Sequence, residues 1–210
     1  MKKIIVLASG GIDSCVLIHV LARKGYEVHP VYIRQGLIWE KAEIFWLRKF
    51  LKAYEKKFYK SRLAPLSISD FPTNDLYRRH WSVTGKKVPG YRSRDERVYL
   101  PARNVILISK AALLGSVRKI YEIALGPLAG NPFPDSRREF FNSMEKTLSL
   151  GLKHRFNIVT PFLNLTKKKV LALAGDIPLD LTFSCLKPKS GHKSCGNCNK
   201  CHEREVCFRG

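Results

Sequence analysis

The stretch Ile4-Ile5-Val6-Leu7-Ala8-Ser9-Gly10-Gly11-Ile12-Asp13-Ser14 decides the fold. The apolar run Ile4–Ala8 reads as a short buried strand, and Cys15–Ala22 reads as a helix. Ser9–Ser14 therefore turns from the end of a strand into the start of a helix. A helix N-terminus offers unpaired backbone N–H groups and a partial positive charge, which suit an anion. Two adjacent glycines let the backbone approach a phosphate closely and adopt positive φ. Ser9 and Ser14 add hydroxyl donors. Asp13 repels phosphate, so its expected task is to orient the loop, cap the helix or help hold a magnesium ion. The plainer reading is a Ser/Gly turn that only connects strand to helix. No G-x-x-x-x-G-K-[ST] match occurs, so this is not a Walker loop.

Outward from this loop, strand and helix alternate. Val28–Ile33 reads as a second strand and Trp39–Lys57 as a helix with Ile44, Leu47, Phe50, Leu51 and Tyr54 at helical spacing. Arg62–Ile68 is expected to form a third strand. Ser69–Tyr99 is a long polar segment, broken by Pro72, Gly85, Pro89 and Gly90, and a segment this long is functional or disordered. Its cations and aromatics suit closure over a nucleotide, contact with RNA, or a solvated loop. Pro101-Ala102-Arg103-Asn104 then opens a helix that is apolar nearly all round, hence buried. Lys119–Leu125 and Asn157–Pro161 read as strands, and Arg137–Leu150 and Thr166–Gly175 as helices. Gly130–Asp135 is turn-rich and follows a strand, where ligands of open α/β sheets bind. The pattern predicts an α/β fold with a parallel sheet covered on both faces.

The chain has 210 residues, enough for one α/β domain and a small appendage, divided here at 1–180 and 181–210. No apolar run reaches the length of a membrane span and no secretory leader is visible, so a cytoplasmic protein without membrane attachment is expected. The net charge of +21 is dense at Arg48–Arg62 and Arg78–Arg97. RNA is a candidate partner of such a surface, and a generally charged, solubility-tuned exterior is the alternative.

Of six cysteines, four lie in the last 16 residues, which is unlike a disulfide framework. Cys195-x-x-Cys198-x-x-Cys201, with Cys185 ten residues upstream, suits a tetrahedral structural zinc. An iron–sulfur cluster is the rival. A metal here would supply the folding energy that so short a tail lacks.

Ser9-Gly10-Gly11-Ile12-Asp13-Ser14 resembles the pyrophosphate loop of the ATP-pyrophosphatase (PP-loop) superfamily. Those enzymes cleave ATP between the α and β phosphates and transfer AMP to a substrate oxygen. Pro101–Asn104, Pro134-Asp135-Ser136-Arg137, Thr160-Pro161-Phe162, Leu181-Thr182-Phe183-Ser184-Cys185 and the cysteine tail extend the likeness across most of the chain. In that order they resemble the 7-cyano-7-deazaguanine synthase family, which makes the nitrile precursor of queuosine and archaeosine. The resemblance implies a doubly wound parallel sheet of Rossmann type, adenine nucleotide α-hydrolase-like, with a small C-terminal zinc-binding knuckle. It implies zinc on Cys185, Cys195, Cys198 and Cys201, and ATP with magnesium at Ala8, Ser9, Gly10, Gly11, Ile12, Asp13 and Ser14. Asp13, Ser14, Arg103, Lys110 and Arg137 are the candidate catalytic groups. The last three are candidates for contacting anions, with surface ion pairing as the alternative.

The implied reaction adenylates a deazapurine carboxylate, lets ammonia displace AMP to give an amide, and activates the amide again to leave a nitrile. The sequence departs from the family pattern in three places. Ile33–Ile38 stands where the family has Tyr-Gly-Gln-x-His, Gly130–Arg137 replaces Ser-Gly-Tyr-Pro-Asp-Cys-Arg, and Ala102 replaces glycine. A paralogue that amidates another carboxylate, an RNA-thiolating enzyme and a non-catalytic RNA-binding scaffold are the competing readings. A homodimer is expected; the apolar residues of the Trp39–Lys57 helix fit a dimer contact and core packing equally well.

Overall fold

The computed structural model describes residues 1–58 and 62–209. Five strands form one sheet: β1 (Lys3–Leu7), β2 (Glu27–Arg34), β3 (Ser67–Asp70), β4 (Glu122–Ala124) and β5 (Asn157–Val159). Their order is β3-β2-β1-β4-β5, and every neighbouring pair is parallel. The alternation of side chains along β1 explains its unbroken apolar run. Ile4 and Val6 face a core shared with α1 (Ile12–Arg23), α2 (Glu40–Lys57) and α7 (Lys167–Ala172). Ile5 faces the opposite core, with Ala111 and Ala112 of α5 (Arg103–Arg118). On that side α6 (Arg138–Leu152) adds Phe141, packed with Ile108 and Ile158. Both faces are covered, so both sets of positions must be apolar. The sheet is doubly wound.

Strand order reverses at β1, which pairs with β2 on one side and β4 on the other. In open α/β sheets the crevice beyond the strand ends at such a point takes the ligand. Ser9–Ser14 leaves β1 at this crevice, and Gly126 leaves β4 opposite it. A Cβ built on Gly126 would stand 3.6 Å from the Asp13 carbonyl oxygen.

Several boundaries differ from the sequence reading. The third strand is Ser67–Asp70 rather than Arg62–Ile68. Leu63 makes only an isolated bridge to Val28 before Pro65, which has no N–H to donate, interrupts the ladder. β4 starts at Glu122 because Lys119 and Ile120 close α5: Lys119 has φ +58° and Ile120 N–H donates to the Gly115 carbonyl at 2.8 Å. The segment after β3 is not one loop. It carries α3 (Asn74–Tyr77), α4 (Trp81–Thr84) and a 3-10 turn at Asp95–Val98. α8 (Asn199–Arg209) within the cysteine tail has no counterpart in the sequence reading. The apolar face of α2 is core: Leu47, Phe50 and Tyr54 are fully buried, so they form no dimer contact. Of the basic stretch Arg48–Arg62, residues 59–61 lie outside the described residues.

α5 begins at a strained residue. Ala102 occupies its N-cap position at φ +61°, ψ 14°, a left-handed conformation that disfavours a Cβ. Asp135 secures the same helix start, its Oδ2 accepting from Asn104 N–H at 3.0 Å while Asn104 Nδ2 donates to the Asp135 carbonyl at 2.8 Å. Ala102→Gly is expected to stabilise the protein by about 0.5–1 kcal/mol, because relief of the Cβ exceeds the extra freedom glycine gives the unfolded chain. Urea unfolding monitored by fluorescence checks this, and a fall in stability would show that the strain is negligible.

Candidate functional site

The loop holds its own shape. Gly10 has φ +81°, and a Cβ there would lie 3.2 Å from both the Glu43 carbonyl oxygen and Leu47 Cβ of α2. Glycine is needed for the conformation and for the close approach of α2. The Gly10 carbonyl accepts from Phe183 N–H at 2.8 Å, which ties the cysteine tail to the loop. Ser14 Oγ donates to the Gly11 carbonyl at 3.0 Å, and Gly11 N–H donates to Ser9 Oγ at 3.3 Å. Gly11 takes the N-cap position of α1, which has no side-chain cap. The backbone N–H groups of the first turn thus remain for an anion.

Asp13 does not cap the helix. Its carboxylate accepts from Lys167 Nζ through both oxygens, at 2.8 and 2.7 Å. Lys167 also reaches Glu203 of α8 at 3.0 Å, and Glu203 pairs with Lys200 at 2.5 Å. Burial raises the Asp13 pKa, and Lys167 only partly reverses this. Burial also works against the Lys167 charge, but Asp13 and Glu203 outweigh it and hold its pKa above the ordinary lysine value. At Glu203 burial is again opposed by Lys200 and Lys167, which bring the pKa down to about 2.

Two cavities meet at this network. The smaller, of about 190 Å³, is bounded by the Ser9–Ser14 loop, Trp39, Glu43 and Arg103. Arg103, Lys167, Lys200 and Arg204 bring four cations to it, against the carboxylates of Asp13, Glu43 and Glu203. Glu43 is buried, and its Oε2 accepts from Tyr32 O–H at 2.6 Å. Burial pushes its pKa up to about 7, with Arg103 and the Tyr32 hydrogen bond opposing the shift. The cavity therefore keeps a positive balance at neutral pH, as a phosphate site requires. The larger cavity, of about 670 Å³, lies across Asp13, Lys167 and Glu203 from the first. Residues 126–133 form one of its walls and α8 another.

The sulfur atoms of Cys185, Cys195, Cys198 and Cys201 all lie within 4.8 Å of one another. Sγ–Sγ separations of 3.5 Å (Cys198–Cys201) and 3.7 Å (Cys195–Cys201) are too long for disulfides. They match the edge of about 3.8 Å that four zinc–sulfur bonds of about 2.3 Å would make in a tetrahedron. Backbone N–H groups of Leu186, Cys195 and Asn197 donate to three of the four sulfurs, at 3.2–3.4 Å, as suits thiolates. The donor set fits one tetrahedral metal ion.

Comparison with known proteins agrees with this geometry. The chain matches the family model of the queuosine biosynthesis protein QueC over residues 3–210. The chain belongs to the QueC family. It is 31% identical over 222 residues to 7-cyano-7-deazaguanine synthase 1 of Desulfitobacterium hafniense, covering 99% of this chain and 92% of that protein. It is 32% identical over 214 residues to the 7-cyano-7-deazaguanine synthase of Thermoplasma volcanium, covering 97% and 85%. Among solved structures, a predicted tRNA methyltransferase subunit from Methanocaldococcus jannaschii superposes with a TM-score of 0.55 at 18% identity, covering 84% of this chain and 75% of that one. A 4-thiouridine synthetase solved with RNA and bound ATP gives a TM-score of 0.52 at 18% identity, covering 99% and 50%. At that identity the likeness to these two is one of fold alone.

Within this QueC-family fold, Ser9, Gly11, Ile12, Asp13, Ser14 and Arg103 meet at the smaller cavity. Ala8 directly follows β1 and lines neither cavity, its N–H donating to the Val31 carbonyl at 2.9 Å. Two candidates lie elsewhere. Lys110 is a turn and more along α5 and lines neither cavity; its charge acts on Asp70 at the end of β3. Arg137 is exposed at the N-cap position of α6, also outside both linings. The altered segment Gly130–Arg137 divides in two: Gly130–Phe133 line the larger cavity, whereas Asp135 buttresses α5. In the altered segment Ile33–Ile38, Gln35 is fully buried and its Oε1 accepts from Arg103 Nε at 3.3 Å. Sequence reasoning missed Glu43, Lys167, Lys200, Glu203 and Arg204. The only hint was the lysine-rich start of the Thr166 helix.

Among the described residues, no helix is long and apolar enough to cross a membrane. Glu43 makes a pH prediction. Its folded pKa lies above that of the unfolded chain, so the folded state binds the extra proton and stability is lost as pH rises from about 4.5 to about 7. Glu43→Gln keeps an acceptor for Tyr32. It is expected to gain stability over the wild type as pH rises from 5 to 8, by at most about 3 kcal/mol, with a plateau above pH 7. Parallel urea curves at both pH values would refute the shift.

Proposed function

We propose that this chain is an ATP-dependent ligase that converts 7-carboxy-7-deazaguanine to 7-cyano-7-deazaguanine with ammonia. The observation that carries this reading is the Asp13–Lys167 pair, set at the phosphate loop between two cavities, in a chain that matches the QueC family from end to end. Residues 1–180 are read as the ATP-handling body, and 181–210 as a metal-held segment that completes the site.

In this reading the smaller cavity takes the phosphates. The N–H groups of the loop and of the α1 first turn bind the pyrophosphate part, and Arg103 and Lys167 offset its charge. The larger cavity takes the acceptor. Its carboxylate oxygen attacks the α-phosphorus of ATP, forming an acyl adenylate and releasing pyrophosphate. Ammonia then displaces AMP, and the amide forms with loss of a proton. The amide oxygen attacks the α-phosphorus of a second ATP and expels a second pyrophosphate; the C–O bond then breaks, that oxygen leaves within AMP, and the nitrile forms as the nitrogen loses its two protons. No protein nucleophile takes part. Lys167 faces both cavities, so it can follow the charge as it passes from carboxylate to pyrophosphate. Asp13 holds that ammonium in place. Magnesium supplied with ATP would screen the phosphate charge, with Asp13 as its nearest carboxylate at the loop. Zinc on the four cysteines would hold α8, and so Lys200 and Glu203, against the loop.

The test is mass spectrometry of products after incubation with ATP, magnesium, ammonium and 7-carboxy-7-deazaguanine, beside metal analysis of the protein. The expected result is nitrile and AMP in a ratio of one to two, with one zinc per chain. ATP binding without nitrile would overturn the acceptor and point to another carboxylate. Iron in place of zinc would favour RNA thiolation, because a solved relative of this fold, the U34-tRNA thiolase NcsA of Methanococcus maripaludis, carries a 4Fe–4S cluster. Lys167→Ala is expected to lower kcat/KM by about a hundredfold to a thousandfold, the usual effect of removing one charge-stabilising group. An unchanged kcat/KM would remove Lys167 from the mechanism.

A further inference from the structure

We propose that the outer face of α2 and the adjoining turn of the cysteine knuckle form a second binding site, for the phosphodiester backbone of a nucleic acid. This site lies outside both cavities and does not rest on the function proposed above.

The core side of α2 sets the direction of its charges. Leu47, Phe50, Leu51 and Tyr54 are buried, and so is Glu43 on the same side. The helical period puts Lys41, Arg48 and Lys52 in one stripe on the opposite side, and all three are exposed. The stripe runs for about 17 Å along the helix. The knuckle docks beside it through its turn at Ser190–His192. Trp46 Nε1 donates to the His192 carbonyl at 2.8 Å, and the His192 ring stacks on Phe45 at 4.4 Å between centroids. Lys49 Nζ sits over Phe45 and Trp46, 4.5 and 5.0 Å from their centroids. The docked segment carries Lys187, Lys189 and Lys193, all exposed. Lys189 N–H donates to the Lys193 carbonyl at 2.8 Å, which holds its two arms together. Exposed Lys86 and Lys87 join them, next to Val88, which packs with Trp46 on one hydrophobic cluster.

No carboxylate answers these cations. Residues 84–94 and 181–202 contain none. Between Lys41 and Tyr54 only Glu43 is acidic, and it is buried; half-buried Glu55 is the next. Among the described residues none of these cations belongs to an ion pair, whereas Lys2, Arg34, Lys200 and Arg209 each have a carboxylate partner. A solubility-tuned or ion-paired exterior intersperses both signs, and this face does not. A zinc tetrathiolate beneath the turn would carry about two negative charges, which offsets only part of the surplus. Like charges held together repel, and a polyanion relieves them while releasing its own counterions. All of these groups but Arg48 are lysines, point charges that suit phosphate rather than bidentate reading of bases. The exposed large apolar side chains lie on other stretches, so this face has neither a wedge for lipid nor an apolar anchor for a protein partner. What remains is sequence-independent attraction to a phosphate backbone.

The test is fluorescence anisotropy of labelled RNA and DNA duplexes of arbitrary sequence, titrated with the full-length, metal-loaded protein over a range of salt concentrations. The triple variant Lys41→Gln, Arg48→Gln, Lys52→Gln is expected to weaken binding at least about tenfold at physiological salt, and to lower the slope of log affinity against log salt by about 3, roughly one for each lost contact. Lys41→Arg, Arg48→Lys, Lys52→Arg keeps the charges and is expected to keep the affinity. Arg138→Gln, Lys146→Gln, Arg155→Gln removes the same charge on the opposite side of the sheet, and is expected to change affinity less than about threefold, because salt screens distant charges. Saturating ATP is expected to leave binding unchanged. Equal binding of the two duplexes upholds a backbone site, and a preference between them names the nucleic acid it serves. The inference is overturned if the wild type binds neither duplex, if the two charge-removing variants weaken binding alike, if the charge-keeping variant loses binding, or if ATP displaces the duplex. It is overturned as well if poly-glutamate or phosphatidylserine vesicles bind more tightly than both duplexes.

Discussion

The site depends on one ammonium group held between two carboxylates. Lys167 joins Asp13, 154 residues away in sequence, to Glu203 on the last helix. A half-buried lysine is tolerable only when its charge is matched, and the same holds for the two acids. The three groups therefore fix the relative positions of the phosphate loop, α7 and α8. Removing Lys167 leaves the Asp13 carboxylate without its cation, which costs more than the loss of a surface pair would. The same triad forms the common wall of the two cavities, so structural and chemical demands fall on the same atoms.

The cysteine knuckle acts on this wall through α8. Cys198 precedes the helix and Cys201 lies in its first turn, so the thiolate geometry sets the helix's direction. Asn199 and Lys200 lie between those ligands, and Glu203 follows within the same turn. A metal on the four sulfurs would thus orient side chains of both cavities as well as fold the tail. The long segment after β3 has a matching role. It is pinned to the knuckle where Gly90 bridges Cys198, where Asn199 N–H donates to the Pro89 carbonyl at 3.2 Å and where Tyr91 O–H meets Glu205. The knuckle and the body share one hydrophobic cluster, with Ala42 and Val98 packed against Phe183, Cys185 and Cys201.

Most of the fold was legible because its signals are local. The β1 run, the glycine loop and the helical spacing of α2 each lie within a few residues, and the backbone responds to them directly. Boundaries failed where a neighbour decided them. Pro65 split the expected third strand, and the left-handed Lys119 gave two residues of the expected fourth strand to the end of α5. Arg103 was one of three candidates by residue type, and the fold sets it at the smaller cavity. Lys110, on the same helix, was indistinguishable from it by residue type. Its place nearly two turns further on carries it to β3 and Asp70 instead.

By itself the sequence determined the chemistry that travels with adjacent residues: a phosphate loop between strand and helix, four thiols spaced for one metal, and a parallel sheet covered on both faces. Only the tertiary structure decided which charges meet. In the run Lys167-Lys168-Lys169 the three side chains are chemically identical, yet only Lys167 turns inward while its neighbours stay exposed. Its partners come from the first helix and the last, and Asn199 is aligned by a loop more than a hundred residues earlier. Such pairings depend on the angle at which packed helices cross, a property of the whole core that no short stretch of sequence records.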